Sequence, residues 1–189
     1  RTATGPGAHA HAVRCLAMAA RGAVHQLVTA SEDGRICLWD PRALDTPLDV
    51  ADLRPPRNAP GAFGAAGMRP SGSLAPSAIA LASDEAAGFL VGTQEGWVCT
   101  VGSTGGSGVA VDAVVATHGG PVTSVDCHSA PTRGGTLSAS ASAGLRLSSA
   151  VDWSIRVWHS SAPTAPVATV AVDVGCGCVA DARWSPYNP

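Results

Sequence analysis

A hydroxyl, an imidazole and a carboxylate occur twice in the chain in the same arrangement, as His9, Thr29 and Asp33 and again as His118, Ser148 and Asp152. These are the components of a nucleophilic relay, in which the imidazole takes the hydroxyl proton and the carboxylate orients the imidazole. Such a relay needs its hydroxyl exposed in a cleft with oxyanion donors beside it. Repetition points the other way. An enzyme seldom needs its triad twice, whereas a repeated structural unit needs its internal polar groups in each copy. Left buried without a partner, a group of this kind costs about 1–3 kcal/mol. A structural role is therefore expected, with no catalytic residue. Cys176-Gly-Cys178 is the closest approach to a metal motif, and without a second pair or a nearby histidine it is a weak one. No metal or cofactor is expected.

The elements that carry these residues repeat as well. Leu27–Trp39, Phe89–Val101 and Arg146–Trp158 each read as an apolar strand, a small polar turn with an acidic residue, and a second strand. Asp33 precedes Trp39 by six residues and Asp152 precedes Trp158 by six, while Glu95 keeps that spacing to Val101. Such turns suit a tight hairpin, because Asp bonds locally and Gly accepts positive φ, and β-branched flanks fit a pleated surface. A short strand precedes each hairpin, at Val13–Leu16, Ala78–Leu81 and Val122–Val125, and Val179–Trp184 reads as a fourth. His9 and His118 each stand four residues before such a strand. No segment reads as a capped amphipathic helix. The fold class expected is all-β.

Composition narrows the function. Twelve basic and fourteen acidic residues leave a net charge of −2, without the basic stripe of a nucleic-acid binder. No apolar run approaches the ~20 residues of a membrane span, so membrane insertion is not expected. Gly and Pro together make about a fifth of the chain, below the roughly 25–30% at which low complexity becomes the default. Cys15, Cys37 and Cys99 sit singly in alternating apolar runs, the setting of buried free thiols. The chain opens on Arg1 and stops just after a strand-like run, so both ends are expected to lie inside a longer protein.

Equivalent positions are 62 and then 57 residues apart, against about 40–45 for one four-stranded propeller blade. Insertions account for the excess. The expected organisation is residues 1–8 as the end of a preceding blade or linker, 9–54 as blade one and 55–76 as a Pro/Gly/Ala-rich connector. Residues 77–117 then form a degenerate blade two, 118–178 a blade three with a loop at 131–144, and 179–189 the start of another blade. Three blades and one strand would leave apolar faces uncovered at both ends.

The sets His9/Thr29/Asp33/Trp39 and His118/Ser148/Asp152/Trp158 resemble the structural tetrad of the WD-repeat family. The resemblance implies a partial β-propeller of about three four-stranded blades in which each set shares hydrogen bonds. Blade two departs from the pattern. It lacks the histidine, has Gly92 at the place expected of Thr29 and Val101 for Trp39, and should be held by apolar packing.

Longer stretches resemble one family within this class, the dynein intermediate chains. Val28–Pro47 is similar to a "DGKICSW" strand followed by leucine and proline, and Phe89–Cys99 to "FVVGSEEGSVY". His118–His128 is similar to "HQGPITGIHCH", Ser148–Trp158 to "SSFDWTVKLW", and Trp184–Pro186 to the "WSP" beyond it. The Asp152-Trp153 turn is the most distinctive marker. Cytoplasmic chains match better than axonemal or intraflagellar-transport ones at His118–His128 and Ile36–Pro47. The resemblance implies a non-catalytic scaffold in the cytoplasm, on the microtubule cytoskeleton, whose propeller docks on the dynein heavy chain. Light chains and dynactin would bind an N-terminal region absent here. The alternatives are an axonemal or intraflagellar-transport chain, or a generic WD-repeat adaptor.

Overall fold

The computed structural model describes residues 7–21, 24–54, 72–81, 88–104, 108–128, 144–162, 165–173, 175 and 177–185. Most of the connector expected at 55–76 and of the loop expected at 131–144 lies outside the described residues, as does Cys176. The described residues contain no α-helix, and so no helix long and apolar enough to cross a membrane.

Among the described residues twelve strands form three antiparallel four-stranded sheets, each a simple meander in chain order. The first comprises β1 (Val13–Arg21), β2 (Val24–Ser31), β3 (Arg35–Trp39) and β4 (Asp49–Asp52). The second comprises β5 (Pro76–Leu81), β6 (Phe89–Thr93), β7 (Trp97–Thr104) and β8 (Gly108–Thr117). The third comprises β9 (Val122–Cys127), β10 (Leu145–Ala150), β11 (Ser154–His159) and β12 (Ala168–Ala171). Strands β1, β5 and β9 face one another in succession, and β4 lies against β8.

Side-chain alternation explains why the sheets stack. Successive residues of a strand point to opposite faces. Phe89, Val91, Trp97, Cys99 and Val101 face the first sheet, where Val28, Ile36 and Leu38 meet them. Leu90 and Val98 face the third sheet, where Val122, Val125 and Trp158 meet them. The second sheet is thus apolar on both sides, and every residue of β6 is buried. Burying each large apolar side chain contributes about 1.5–3 kcal/mol, so stacking is the main stabilising term. The outer sheets are covered less. Val13, Leu16 and Met18 of β1 are exposed, as are Val167 and Val170 beside and within β12.

The segment Val179–Trp184, expected as a strand, forms no ladder among the described residues. It is held beside β9 by side chains instead. Ala182 N donates to Ser124 Oγ at 2.9 Å, Trp184 N donates to Asp126 Oδ2 at 2.8 Å, and the Trp184 indole meets His128 edge-on at 5.2 Å. Facing inner strands touch in this array without pairing, which is why the periodicity suggested a strand and the hydrogen bonds do not show one.

One backbone position recurs in the turn between the second and third strands of each sheet. Gly34 has φ +73° and Gly96 φ +86°, a region that costs a side-chain-bearing residue about 1–2 kcal/mol. Chain leading into the next sheet crosses both glycines. Ser73 lies over Gly34, and a Cβ on Gly96 would stand 2.6 Å from His118 O and 2.7 Å from Gly120 O. The Gly96→Ala protein should therefore lose about 2 kcal/mol or more, from backbone strain and from overlap together. A fall of several degrees in melting temperature by circular dichroism checks this; an unchanged midpoint would show that the crossing chain yields freely.

Candidate functional site

In the third sheet the four polar residues come together around His118, which is buried. Trp158 Nε1 donates to Ser148 Oγ at 2.8 Å, and Ser148 Oγ lies 2.8 Å from His118 Nε2. His118 Nδ1 lies 3.2 Å from both carboxylate oxygens of Asp152. An acceptor carboxylate at Nδ1 and a hydroxyl donor at Nε2 assign the ring proton to Nδ1 in a neutral imidazole. Asp152 also accepts from Gly119 N at 2.7 Å, Ser154 N at 3.1 Å and Ser154 Oγ at 2.7 Å, and Arg156 stands 3.6 Å away.

The first sheet repeats the arrangement. Trp39 Nε1 donates to Thr29 Oγ1 at 2.7 Å, and Thr29 Oγ1 lies 2.8 Å from His9 Nε2. His9 Nδ1 is 3.3 Å from Asp33 Oδ2, which accepts from Ala10 N at 2.8 Å while Oδ1 accepts from Arg35 N at 2.9 Å. The loop carrying His9 covers β3 from outside, with Cys37 Sγ 3.7 Å from Gly7 O.

The second sheet requires one correction. Val91, not Gly92, occupies the position of Thr29, because Val91 pairs with Cys99 as Thr29 pairs with Cys37. Gly92 is the counterpart of Ala30 on the opposite face, where the Val122 side chain leaves no room for a Cβ. Val91 also stands four residues before Glu95, as Thr29 does before Asp33 and Ser148 before Asp152, and in a strand a shift of one residue flips the face. Ala12, Ala75 and Pro121 O accept equivalent turn N–H groups, which puts Gly72 where His9 and His118 stand. Val91 and Val101 fill the hydroxyl and indole positions with apolar atoms. Glu95, one methylene longer than aspartate, reaches the main chain itself and accepts from Ala75 N at 3.1 and 3.2 Å.

Several polar contacts were not foreseen. Ser154 joins the His118–Asp152 pair, 3.1 Å from Nδ1, although Arg35 at the equivalent place gives no hint of it. Ser149 sits 2.8 Å from Thr123 Oγ1 and 2.7 Å from Ser124 Oγ. The doublet Ser148-Ser149 inside an otherwise apolar strand was the available signal, since buried hydroxyls require partners.

Electrostatics follow from burial. Desolvation pulls the His118 pKa below its ordinary value, against the opposing pull of Asp152. Burial pushes the Asp152 carboxyl up, but bonds from Ser154 and Gly119 and the proximity of His118 outweigh it, and its pKa falls. Asp33 behaves alike, with burial outweighed by N–H bonds from Ala10 and Arg35 and by His9. Desolvation raises the thiols of Cys15, Cys37 and Cys127 to about 11 and of Cys99 to about 12, so each stays protonated at neutral pH. Among the described residues no group of three His, Cys, Asp or Glu side chains could hold a metal.

The geometry of Ser148, His118 and Asp152 is that of a proton relay, yet Ser148 is 0% exposed and already receives the Trp158 indole. No substrate carbonyl can reach it. What the arrangement does chemically is tie four elements of one sheet together while excluding water.

Three stacked four-stranded meanders, two of them holding a His–Ser/Thr–Asp–Trp set, give the chain the blade architecture of a WD-repeat β-propeller. Residues 4–40 match the family described as WD domain, G-beta repeat. The fold is similar to that in the crystal structure of RRP9 WD40 repeats, with TM-score 0.59 and 16% identity over 87% of this chain and 40% of that one. The structure of U3-55K gives TM-score 0.59 and 15% identity over 87% and 41%. In sequence, the chain is similar to cytoplasmic dynein 1 intermediate chain of Drosophila melanogaster, 29% identical over 192 residues, covering 100% of this chain. It spans 25% of that protein's length.

Ser148→Ala leaves both Trp158 Nε1 and His118 Nε2 unpaired, which should cost about 1–3 kcal/mol; urea unfolding followed by tryptophan fluorescence reads the loss. Acidification should destabilise in two stages. A folded-state pKa depressed below the model-peptide value of about 6.5 means that the unfolded chain takes up the His118 proton first, so stability falls as pH drops below about 6.5. The depressed carboxyls of Asp33 and Asp152 add a second loss as pH falls below about 4, through their folded-state values. Melting curves between pH 8 and pH 3 read both stages, and His118→Gln should remove the first.

Proposed function

We propose that the chain is part of a cytoplasmic-type dynein intermediate chain, a non-catalytic scaffold whose blades dock on the dynein heavy chain in microtubule-based transport. The observation that carries this reading is similarity along the whole chain to the cytoplasmic dynein 1 intermediate chain. A WD-repeat fold by itself would name no partner. The Asp152-Trp153 turn supports the same reading, because it departs from the Asp-Gly and Glu-Gly turns of the other two sheets in the direction of that family. A non-catalytic role agrees with relay residues that are buried and mutually bonded in two copies. Cytoplasmic, microtubule-associated location comes with the docking role.

Affinity capture of the tagged full-length parent from cell extract should bring down dynein heavy chain in near-stoichiometric amount. Recovery of the parent without heavy chain, under conditions that keep dynein assembled, would exclude the reading.

A further inference from the structure

Strands β1, β5 and β9 begin alike. Ala12, Ala75 and Pro121 O each accept a turn N–H. The same break in register follows, between Val13 and Cys15, between Pro76 and Ala78, and between Val122 and Ser124. Positions facing the following sheet can therefore be matched residue by residue. In the first sheet they are Cys15, Ala17 and Ala19, and in the second Ala78 and Ala80. Cys15 and Ala19 pack on the core between the first two sheets, and Ala78 and Ala80 on that between the second and third. In the third sheet the same places hold Ser124, Asp126 and His128, and Ser149 stands where Ala30 and Gly92 stand. A row of small apolar residues has become a hydroxyl, a carboxylate and an imidazole.

That row takes hold of the segment Val179–Trp184. Ser124 Oγ accepts from Ala182 N at 2.9 Å and donates to Ala182 O at 3.3 Å. Asp126 Oδ2 accepts from Trp184 N at 2.8 Å, while its other oxygen is fixed by Cys127 N at 3.0 Å. The His128 ring meets the Trp184 indole edge-on. Behind the row the buried Ser149 hydroxyl lies 2.7 Å from Ser124 Oγ and 2.8 Å from Thr123 Oγ1. With Thr123 donating to Ser149 and Ser149 to Ser124, each hydroxyl in this chain is satisfied. Residues two apart on β9 hold residues two apart on the segment, so the segment is extended and parallel to β9. A cavity of about 410 Å³ lies against it, lined by Ala180, Asp181 and Arg183 and by Ser77, Thr123 and Ser124 of the strands.

We propose that Ser124, Asp126 and His128 form a latch, from which the segment Val179–Trp184 opens and to which it returns while the three sheets stay stacked. Two kinds of junction are involved. The sheets meet through large apolar side chains, among them Trp97 and Val101 at one junction and Leu90, Val98 and Val125 at the other. Water offers nothing in exchange for such contacts. A main-chain hydrogen bond, by contrast, is replaced by bonds to water at little net loss. Parts of a protein with few buried apolar contacts open locally, at the low end of its range of opening energies. The cavity gives the segment room to leave and gives water access to the row. Closure is guided by main-chain groups of Ala182 and Trp184, with the indole against His128 setting the register. The array thus has one joint that opens without unfolding.

Amide hydrogen exchange of the full-length parent, read on peptides by mass spectrometry, tests the latch. In the wild type the stretch 179–185 should exchange faster than β6, and should do so without denaturant. Asp126→Ala should speed exchange at 179–185 about ten-fold or more, as expected for the loss of one bond to a charged acceptor. Exchange in β6 and the melting temperature should stay at their wild-type values. Asp126→Asn keeps an acceptor oxygen and should restore most of the protection. Protection of 179–185 equal to that of β6, and lost with it in one step, would mean a permanent junction and overturn the proposal. An unchanged rate at 179–185 in Asp126→Ala would overturn it as well. So would faster exchange in all three sheets or a failure of Asp126→Ala to fold, since Asp126 would then support the stack and not a joint.

Discussion

His118 belongs to two sheets at once. Its main-chain N–H donates to Gly96 O of the second sheet, and its ring spans Ser148 and Asp152 of the third. One residue therefore fixes both the start of a sheet and its distance from the one before. The condition for this is a neutral imidazole satisfied at both nitrogens, because a buried charge or an unpaired nitrogen would cost more than the contact returns. Everything around the ring meets that condition. Strand β10 supplies the hydroxyl, the turn supplies the carboxylate, and β11 supplies the indole that closes the hydroxyl from above.

The second sheet shows how much of this a blade can do without. It has no histidine and no hydroxyl at the matching places, yet it is the most deeply buried of the three. Its neighbours cover both faces, so apolar contact alone keeps Val91 and Val101 dry. The turn carboxylate alone survives, as Glu95, and it still bonds the main chain at the start of its own sheet. Turn geometry and sheet spacing are thus the general requirement. The full four-residue set occurs in the sheets that have only one of the other two described sheets beside them.

The all-β class, the meanders and the stacked sheets were legible in the sequence, because strand alternation and the acidic turn recur at a spacing no helix would keep. The residues of each His–hydroxyl–Asp–Trp set were legible by recurrence, since two copies at matching offsets share a cause. Register inside the second sheet was misplaced by one residue when Gly92 was set against Thr29. The four-residue spacing of Thr29 to Asp33 and of Ser148 to Asp152, counted back from Glu95, reaches Val91, and the ladder opposite Cys99 agrees. The bonds of Ser154, Ser149 and Glu95 were also hidden, because each depends on which strands meet and not on any local pattern. Val179–Trp184 reads as a strand for the same reason, since periodicity reports a buried face and not a pairing partner.

Asp152 and Trp153 divide the work of one turn between its two sides. The left-handed backbone at Trp153 costs about 1–2 kcal/mol. The carboxylate of Asp152 accepts two main-chain N–H groups and a hydroxyl, and bonds to a charged group contribute about 1.5–3 kcal/mol each. The inward half of the turn is therefore stable enough to hold the outward half in a conformation that it would not choose. Two of the three sheets place glycine there and gain close contact with the chain leading into the next sheet. The third places tryptophan there, partly exposed, with the same main-chain bond from the strand end, Val172 N to Trp153 O at 2.8 Å.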